Sequence, residues 1–366
     1  MIWHPDIPSA ITDAAGATWQ VRRSWPDKAA GEYILEVHAA AGNDVQGVRA
    51  GHLRHGVFEE VPLADPRLPS LAEEASKGNV IVHRAHQRAV VQAGGQYIKV
   101  LRKRRATHVA ERHTGATALA GGFFDTPQLL RASPDVVAFS SLAGRSFYEL
   151  GQDRITLSDA DFAVIWHGWA RAWAAAVLAS RSAAFRGVLD SLPLHPPEVQ
   201  AVELRRWAGL WLAHSEGIAD AGAARSGLQA QLAEALGRLL SSRPDPPGWA
   251  HGDLHDKQLL GTAGTGTPGL LDFDESCQAE AAMDLANLDV HLELRRRQHL
   301  LTAPRYRMAH GQILATAEAL QVSPERFAAH VAGTRLRLAC MYTFRPPWGT
   351  GAVRSLGSGA PALQNT

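Results

Sequence analysis

The stretch Trp249 to Glu275 constrains this chain most, because two short apolar runs there each deliver carboxylates to a loop. The first passes through His251-Gly252-Asp253-Leu254-His255-Asp256-Lys257-Gln258 into Leu259 and Leu260, and the second reads Leu270-Leu271-Asp272-Phe273-Asp274-Glu275. Residues 262–269 between them have the threonine- and glycine-rich composition of a hairpin turn. Pairing the runs as a β-hairpin brings Asp253, Gln258 and Asp272 to one end of it. A single acidic pair would read as solvated acids at the tip of a buried hairpin. Two acidic loops in order, each flanked by apolar strands, read as a site.

That arrangement suits phosphoryl transfer. An aspartate that takes a proton from an acceptor hydroxyl stands beside the metal, and the metal takes one or two hard oxygen ligands from the protein, with phosphate and water completing the shell. Asp253 fits the first role, and the side-chain carbonyl of Gln258 with Asp272 fits the second. The spacing matches the protein-kinase catalytic loop, in which Asp is followed five positions later by a metal-binding Asn, with a D-F-G aspartate downstream.

HGDLH-x-x-Q followed by LLDFD resembles the aminoglycoside phosphotransferase and choline-kinase-like group, whose common form is H-G-D-x-x-x-x-N with I-D-[FW]-[DE]. Gln258 stands where most members have Asn, and in this it is similar to maltokinase-like and glucosamine-kinase-like members. The resemblance covers about Asn79 to Tyr342. It implies an α+β, bilobal protein-kinase-like fold: a β-rich N-terminal lobe, here with an extra N-terminal β meander, and a mostly helical C-terminal lobe. It further implies ATP and Mg²⁺ as cofactors, Asp284 as a structural aspartate holding the catalytic loop, and His251 as a loop support, since Asp253 already fills the base position.

The rest of the chain is consistent with that organisation. With 366 residues and 46% hydrophobic content, it can bury a core large enough for two lobes. Its formal net charge of +1 calls for no nucleic-acid or anionic-membrane partner. Cys277 and Cys340 form neither a disulfide framework nor metal-ligand spacing. The N-terminus has no signal-peptide pattern, and no apolar run is long enough to span a bilayer. The expectation is a cytoplasmic monomer acting on a small-molecule hydroxyl acceptor.

Four segments are expected: an N-terminal β extension (1–66), a kinase-like N-lobe (67–140), a helical C-lobe (141–345) and a Gly/Pro/Ser-rich tail (346–366). Alternating residues predict strands over Ala17–Arg22 and Glu32–His38, with Val45–Val48 following a turn. This extension is either a cap over the site or an edge addition with only a structural role. Strands at Asn79–His83, Arg88–Gln92 and Gln96–Leu101 follow in the order of a kinase N-lobe. Lys99, one of five lysines, sits on the third, ahead of a helix that carries Glu111. A Lys99–Glu111 pair would hold the lysine against nucleotide phosphates. The β-turn before Arg88 lacks glycine, so Arg84, His86 and Arg88 are candidates for direct phosphate contact, or solvated hairpin residues. Ser141 and Leu142, after the apolar strand beginning at Val136, resemble the hinge that meets adenine. Asp256, Asp274 and Glu275 form either an acidic acceptor mouth, suited to an amino sugar or aminoglycoside, or a set of solvated loop acids. Trp166, Trp169 and Trp173 share a helical face as a packed core or, less simply, a sugar platform. A nucleotide-binding pseudokinase is the alternative to turnover.

Overall fold

The computed structural model describes residues 4–13, 15–40, 47–261 and 266–346. Apolar–polar alternation builds the first sheet, since opposite faces of a strand meet core and solvent in turn. β1 (Ala10–Thr12), β2 (Thr18–Pro26), β3 (Tyr33–Ala39), β4 (Val48–Arg54) and β5 (Val57–Val61) form an antiparallel meander in chain order. Leu35 stands opposite Gly51 and Leu53 opposite Phe58. The strand expected over Val45–Val48 starts at Val48, with Val45 outside the described residues.

A short helix, α1 (Leu71–Ala75), leads into the second sheet. This consists of β6 (Asn79–Arg84), β7 (Arg88–Ala93) and β8 (Gln96–Leu101), then β9 (Leu129–Ala132) and β10 (Val136–Ser140) after helix α2 (Arg105–Ala120), in the spatial order β6-β7-β8-β10-β9. Lys99 lies opposite Val90 on one side and Val137 on the other. One face of the sheet packs Val91, Ile98 and Val100 against Leu68 and Leu71. The other, which carries Lys99, packs Leu101, Val137 and Phe139 against Ala106 and Val109 of α2.

The remainder is mostly helical: β11 (Arg145–Ser146), α3 (Phe147–Gln152), α4 (Asp159–Ser180), α5 (Arg186–Ser191), α6 (Pro197–His214) and α7 (Gly222–Ser241) precede the strands that flank the two acidic loops. These are β12 (Gly248–Ala250), β13 (Leu259–Gly261), β14 (Gly269–Leu270) and β15 (Cys277–Ala279); α8 (Ala281–Arg297), α9 (Ala303–Ala319) and α10 (Pro324–Tyr342) follow. Ser158 caps α4 by accepting the Asp161 N–H at 3.1 Å. Trp166, Trp169 and Trp173 are at most 1% exposed and pack in series with Trp249, which makes them core rather than a sugar platform.

The N-terminal meander touches both other layers. Its core, including Trp25, Leu35 and Phe58, merges with Leu204, Trp207 and Trp211 of α6 and Leu336 of α10. Toward the second sheet, the buried Glu36 carboxylate accepts the His83 N–H at 2.8 Å. Among the described residues no helix is long and apolar enough to cross a membrane. Apart from Pro346, the expected tail lies outside them.

Candidate active site

β12 pairs with β15, Trp249 opposite Gln278 and Ala250 opposite Cys277, and the chain then turns sharply at Gly252. Gly252 has φ +86°, and a Cβ there would lie 2.0 Å from the Glu275 carbonyl oxygen, so only glycine fits. The loop that follows rests on α8. Asp284 accepts the His251 and Gly252 N–H groups at 2.6 and 3.1 Å. Asn287 donates to the Leu254 carbonyl at 2.9 Å. The His291 ring lies 4.9 Å from that of His255, and Arg295 grips Asp256 with Nε and Nη2 at 2.9 and 3.3 Å. These four residues recur at helical spacing, so one polar stripe of a buried helix fixes the loop turn by turn.

His251, fully buried, joins this loop to the next: its Nε2–H donates to the Leu271 carbonyl at 2.7 Å, and its Nδ1 accepts the Asp253 N–H at 3.3 Å. β13 and β14 pair with Leu259 opposite Leu270, as the apolar runs predict; residues 262–265 of the expected turn lie outside the described residues. The Gln258 amide then lies 3.2 Å from Asp272 Oδ2. Asp272 adopts φ +64°, a left-handed conformation that aspartate tolerates better than most side chains. Lys99 Nζ is 2.5 Å from Oδ1 of both Asp272 and Asp274. Burial pushes both carboxyls up, but Lys99 outweighs it at Asp272 and holds that group far below the carboxylate range. Asp274, desolvated and beside the Asp272 charge, is pushed up to about 6.

Asp253 is freer. Its carboxylate is 47% exposed, with His255 Nε2 at 3.8 Å as its nearest ionisable neighbour. His255 Nδ1 accepts the Lys257 N–H at 3.2 Å, which leaves the Nε2 proton on the side of Asp253. Among the described residues no group of three or more His, Cys, Asp or Glu could hold a metal by itself. The donor set at Gln258 and Asp272 nevertheless suits Mg²⁺: turning the Gln258 amide over presents its oxygen, and two protein oxygens leave room for phosphates and water.

Several expected roles need correction. Glu111 does not meet Lys99; it lies on the solvent side of α2, two residues from the buried positions Val109 and His113, and pairs with His108 at 3.4 Å. The lysine is held by Asp272 and Asp274 instead, and α2 docks through Arg112, which donates to the Asp274 carbonyl at 2.5 Å and to Glu275 at 3.2 Å. Asp256 is no part of an acceptor mouth, because it is 2% exposed and locked to Arg295. Asp274 likewise turns inward to Lys99, leaving Glu275 as the exposed acid of that trio. In the glycine-free hairpin, His86 bonds to Asp65 at 3.0 Å and the Arg84 guanidinium lies over the Trp25 ring, so only Arg88 keeps the solvated aspect expected of the three. The Ser141 N–H donates to the Gly95 carbonyl at 3.0 Å just beyond β10, with Leu142 partly buried beside it. Arg112, Asn287, His291 and Arg295 were not expected. The polar stripe of α8 was present in the sequence as an i, i+3, i+7, i+11 pattern.

Comparison with known proteins bears on the family and the fold. Residues 75–319 match the family model described as the phosphotransferase enzyme family. No curated protein matches the sequence. Among solved structures, the GDP complex of wild-type aminoglycoside 2'-phosphotransferase-IIIa superposes with TM-score 0.51 at 13% identity, covering 75% of this chain and 89% of that one. An aminoglycoside-3'-phosphotransferase of type VIII gives TM-score 0.50 at 17% identity, covering 75% and 100%. A glucosamine kinase gives TM-score 0.49 at 14% identity, covering 98% and 97%. The family match spans most of the chain and includes both acidic loops, and the protein therefore belongs to the phosphotransferase enzyme family, as a small-molecule kinase on a protein-kinase-like scaffold.

Proposed function

We propose that this enzyme transfers the γ-phosphoryl group of ATP to a hydroxyl of a small polar acceptor, with Mg²⁺ required. The observation that carries this reading is the meeting of Gln258 and Lys99 on the two oxygens of one carboxylate, Asp272. An ammonium, a carboxylate and an amide oxygen in that order suit a nucleotide's phosphates and their cation. The GDP complex among structures of the same fold supports a nucleotide as donor.

Asp253 is the group placed to accept the acceptor's proton as the new oxygen–phosphorus bond forms and the bond to the β-phosphate oxygen breaks; ADP leaves with that electron pair. Its exposure keeps it open to an incoming hydroxyl, while His255 and the backbone around His251 fix its direction. Lys99 exchanges a carboxylate partner for phosphate oxygens on nucleotide binding. Gln258 and Asp272 would hold Mg²⁺, which would supply Lewis-acid stabilisation of the negative charge on the transferring phosphoryl group. Ser141 and Leu142 lie where the chain leaves the sheet and would border the base.

The test is ADP release coupled to a panel of hydroxyl acceptors, with and without Mg²⁺, in the native protein and Asp272→Asn. Asparagine also tolerates the left-handed backbone at 272, so the change removes charge more than shape. Mg²⁺-dependent turnover that falls at least about 10²-fold in the variant is expected. Nucleotide binding with no turnover on any acceptor would favour a pseudokinase.

A further inference from the structure

Lys99 Nζ meets two carboxylates, and they are not equivalent. Asp272 answers to two groups, Lys99 at Oδ1 and the Gln258 amide at Oδ2, and its side chain is 32% exposed. The Asp274 side chain is 15% exposed, and among the described residues Lys99 is its only ion-pair partner. The ammonium between them is largely buried, with Nζ 5.4 Å from the centre of the Phe139 ring.

The chain that carries Asp274 is fixed from two directions. Phe273 is buried, its ring 5.4 Å from that of His113 on α2 and 5.6 Å from that of His251 on the first acidic loop. His113 is itself tied down, its Nε2–H donating to the Pro127 carbonyl at 2.8 Å. The residue before it, Arg112, donates to the Asp274 carbonyl at 2.5 Å and to the Glu275 carboxylate at 3.2 Å. Two consecutive residues of α2 therefore grip the loop, one through a ring and one through the backbone, while Glu111 pairs with His108 at the surface. Moving the backbone of Asp274 away from Lys99 breaks those contacts.

A desolvated ammonium is costly without a countercharge. Asp272 is the carboxylate that suits Mg²⁺ together with Gln258, so it cannot serve Lys99 alone once nucleotide and cation are bound. Asp274 carries no such second claim. We propose that Asp274 is the positioning residue for Lys99 in the nucleotide-bound enzyme: it keeps the ammonium paired and directed at phosphate while Asp272 serves the cation, and Arg112 holds it there. Helix α2 thus steers the lysine through the second acidic loop, not by a carboxylate of its own. This rests on the phosphotransferase reading and deepens it, dividing two acids of one loop between two tasks.

A double-mutant cycle on nucleotide affinity tests it. MgADP is titrated calorimetrically into the native protein, Asp274→Asn, Lys99→Met and the double variant. Asp274→Asn is expected to weaken binding at least about tenfold, Asp274→Glu to restore part of the loss, and Asp274→Asn to cost nothing further once Lys99 is methionine. Unchanged affinity in Asp274→Asn, or the same loss with and without Lys99, overturns the inference. Arg112→Met tests the link without touching the buried pair, and holds where Asp274→Asn does not fold. A loss of about threefold is expected in the presence of Lys99 and none in Lys99→Met; no loss, or equal loss in both, overturns it. The Mg²⁺ concentration for half-saturation, at ADP set to the same multiple of each protein's own Kd, should rise at least about tenfold in Asp272→Asn and stay within about twofold in Asp274→Asn. A tenfold rise in Asp274→Asn makes that residue a cation ligand and overturns the inference. Independent losses alongside intact Mg²⁺-dependent ADP release leave the phosphotransferase reading standing. Losses confined to proteins that keep Lys99, with no turnover on any hydroxyl acceptor, sustain the positioning role and remove that reading instead. A native protein that binds no nucleotide overturns both.

Discussion

Replacing Asp253 with asparagine, and separately Asp256, should give opposite signatures three residues apart. The Asp253 carboxylate is 47% exposed and has one ionisable neighbour, 3.8 Å away. Its replacement should therefore cost no more than about 0.5 kcal/mol of folding stability, as for a solvated side chain. Losing a positioned base costs about 10²–10⁴-fold in turnover, which is roughly 3–5 kcal/mol of activation free energy. Asp256 is 2% exposed and receives Nε and Nη2 of Arg295 at 2.9 and 3.3 Å. Asparagine there leaves a buried guanidinium without its countercharge, a loss of about 3–5 kcal/mol of stability. Urea unfolding and coupled ADP release on the same preparations separate the two. An Asp253→Asn protein that keeps turnover within tenfold, or loses 2 kcal/mol or more of stability, would refute the assignment of the base. An Asp256→Asn protein of native stability would refute the account of the loop's anchor.

Two further predictions follow from individual contacts. Glu111→Ala should leave both KM for nucleotide and kcat within about twofold, because Glu111 meets only His108 on the surface and exposed pairs contribute little; a fall of tenfold or more in nucleotide affinity would restore a role for it beside Lys99. Burial pushes the Glu280 carboxyl up, but hydrogen bonds from Arg326 and His330 outweigh it and hold the group down to about 2, against 4.5 when free. A depressed carboxyl stabilises the fold above its unfolded value and loses that contribution as pH falls. Of about 3 kcal/mol present at pH 6, roughly 2 kcal/mol should be gone by pH 3. Unfolding curves of Glu280→Gln should lack that component; parallel pH profiles for the two proteins would contradict it.

The sequence carried the chemistry of the site more legibly than its support. The flanking leucines impose the hairpin expected of the two acidic loops, and its register places Gln258 beside Asp272. Lys99 was legible from its strand, but its partner was not. Helical phase decides whether Glu111 or Arg112 faces the acidic loop at Asp274 and Glu275, and that phase is set by packing of Val109 and His113, which one sequence does not display. The loop acids were indistinguishable as a group. Whether an aspartate is solvated, like Asp253, or desolvated, like Asp256, depends on Arg295, 39 positions away. The merging of the N-terminal meander with α6 and α10 arises from contacts between residues hundreds of positions apart, such as Ser24 with Phe344, and no local pattern encodes it.

Because α8 meets the catalytic loop at Asp284, Asn287, His291 and Arg295, loop and helix constitute a single mechanical part. Grafting the loop alone onto another scaffold would strand its backbone without the matching teeth, whereas moving both segments together carries the alignment with them. Engineering of acceptor preference would thus do well to leave that cassette intact.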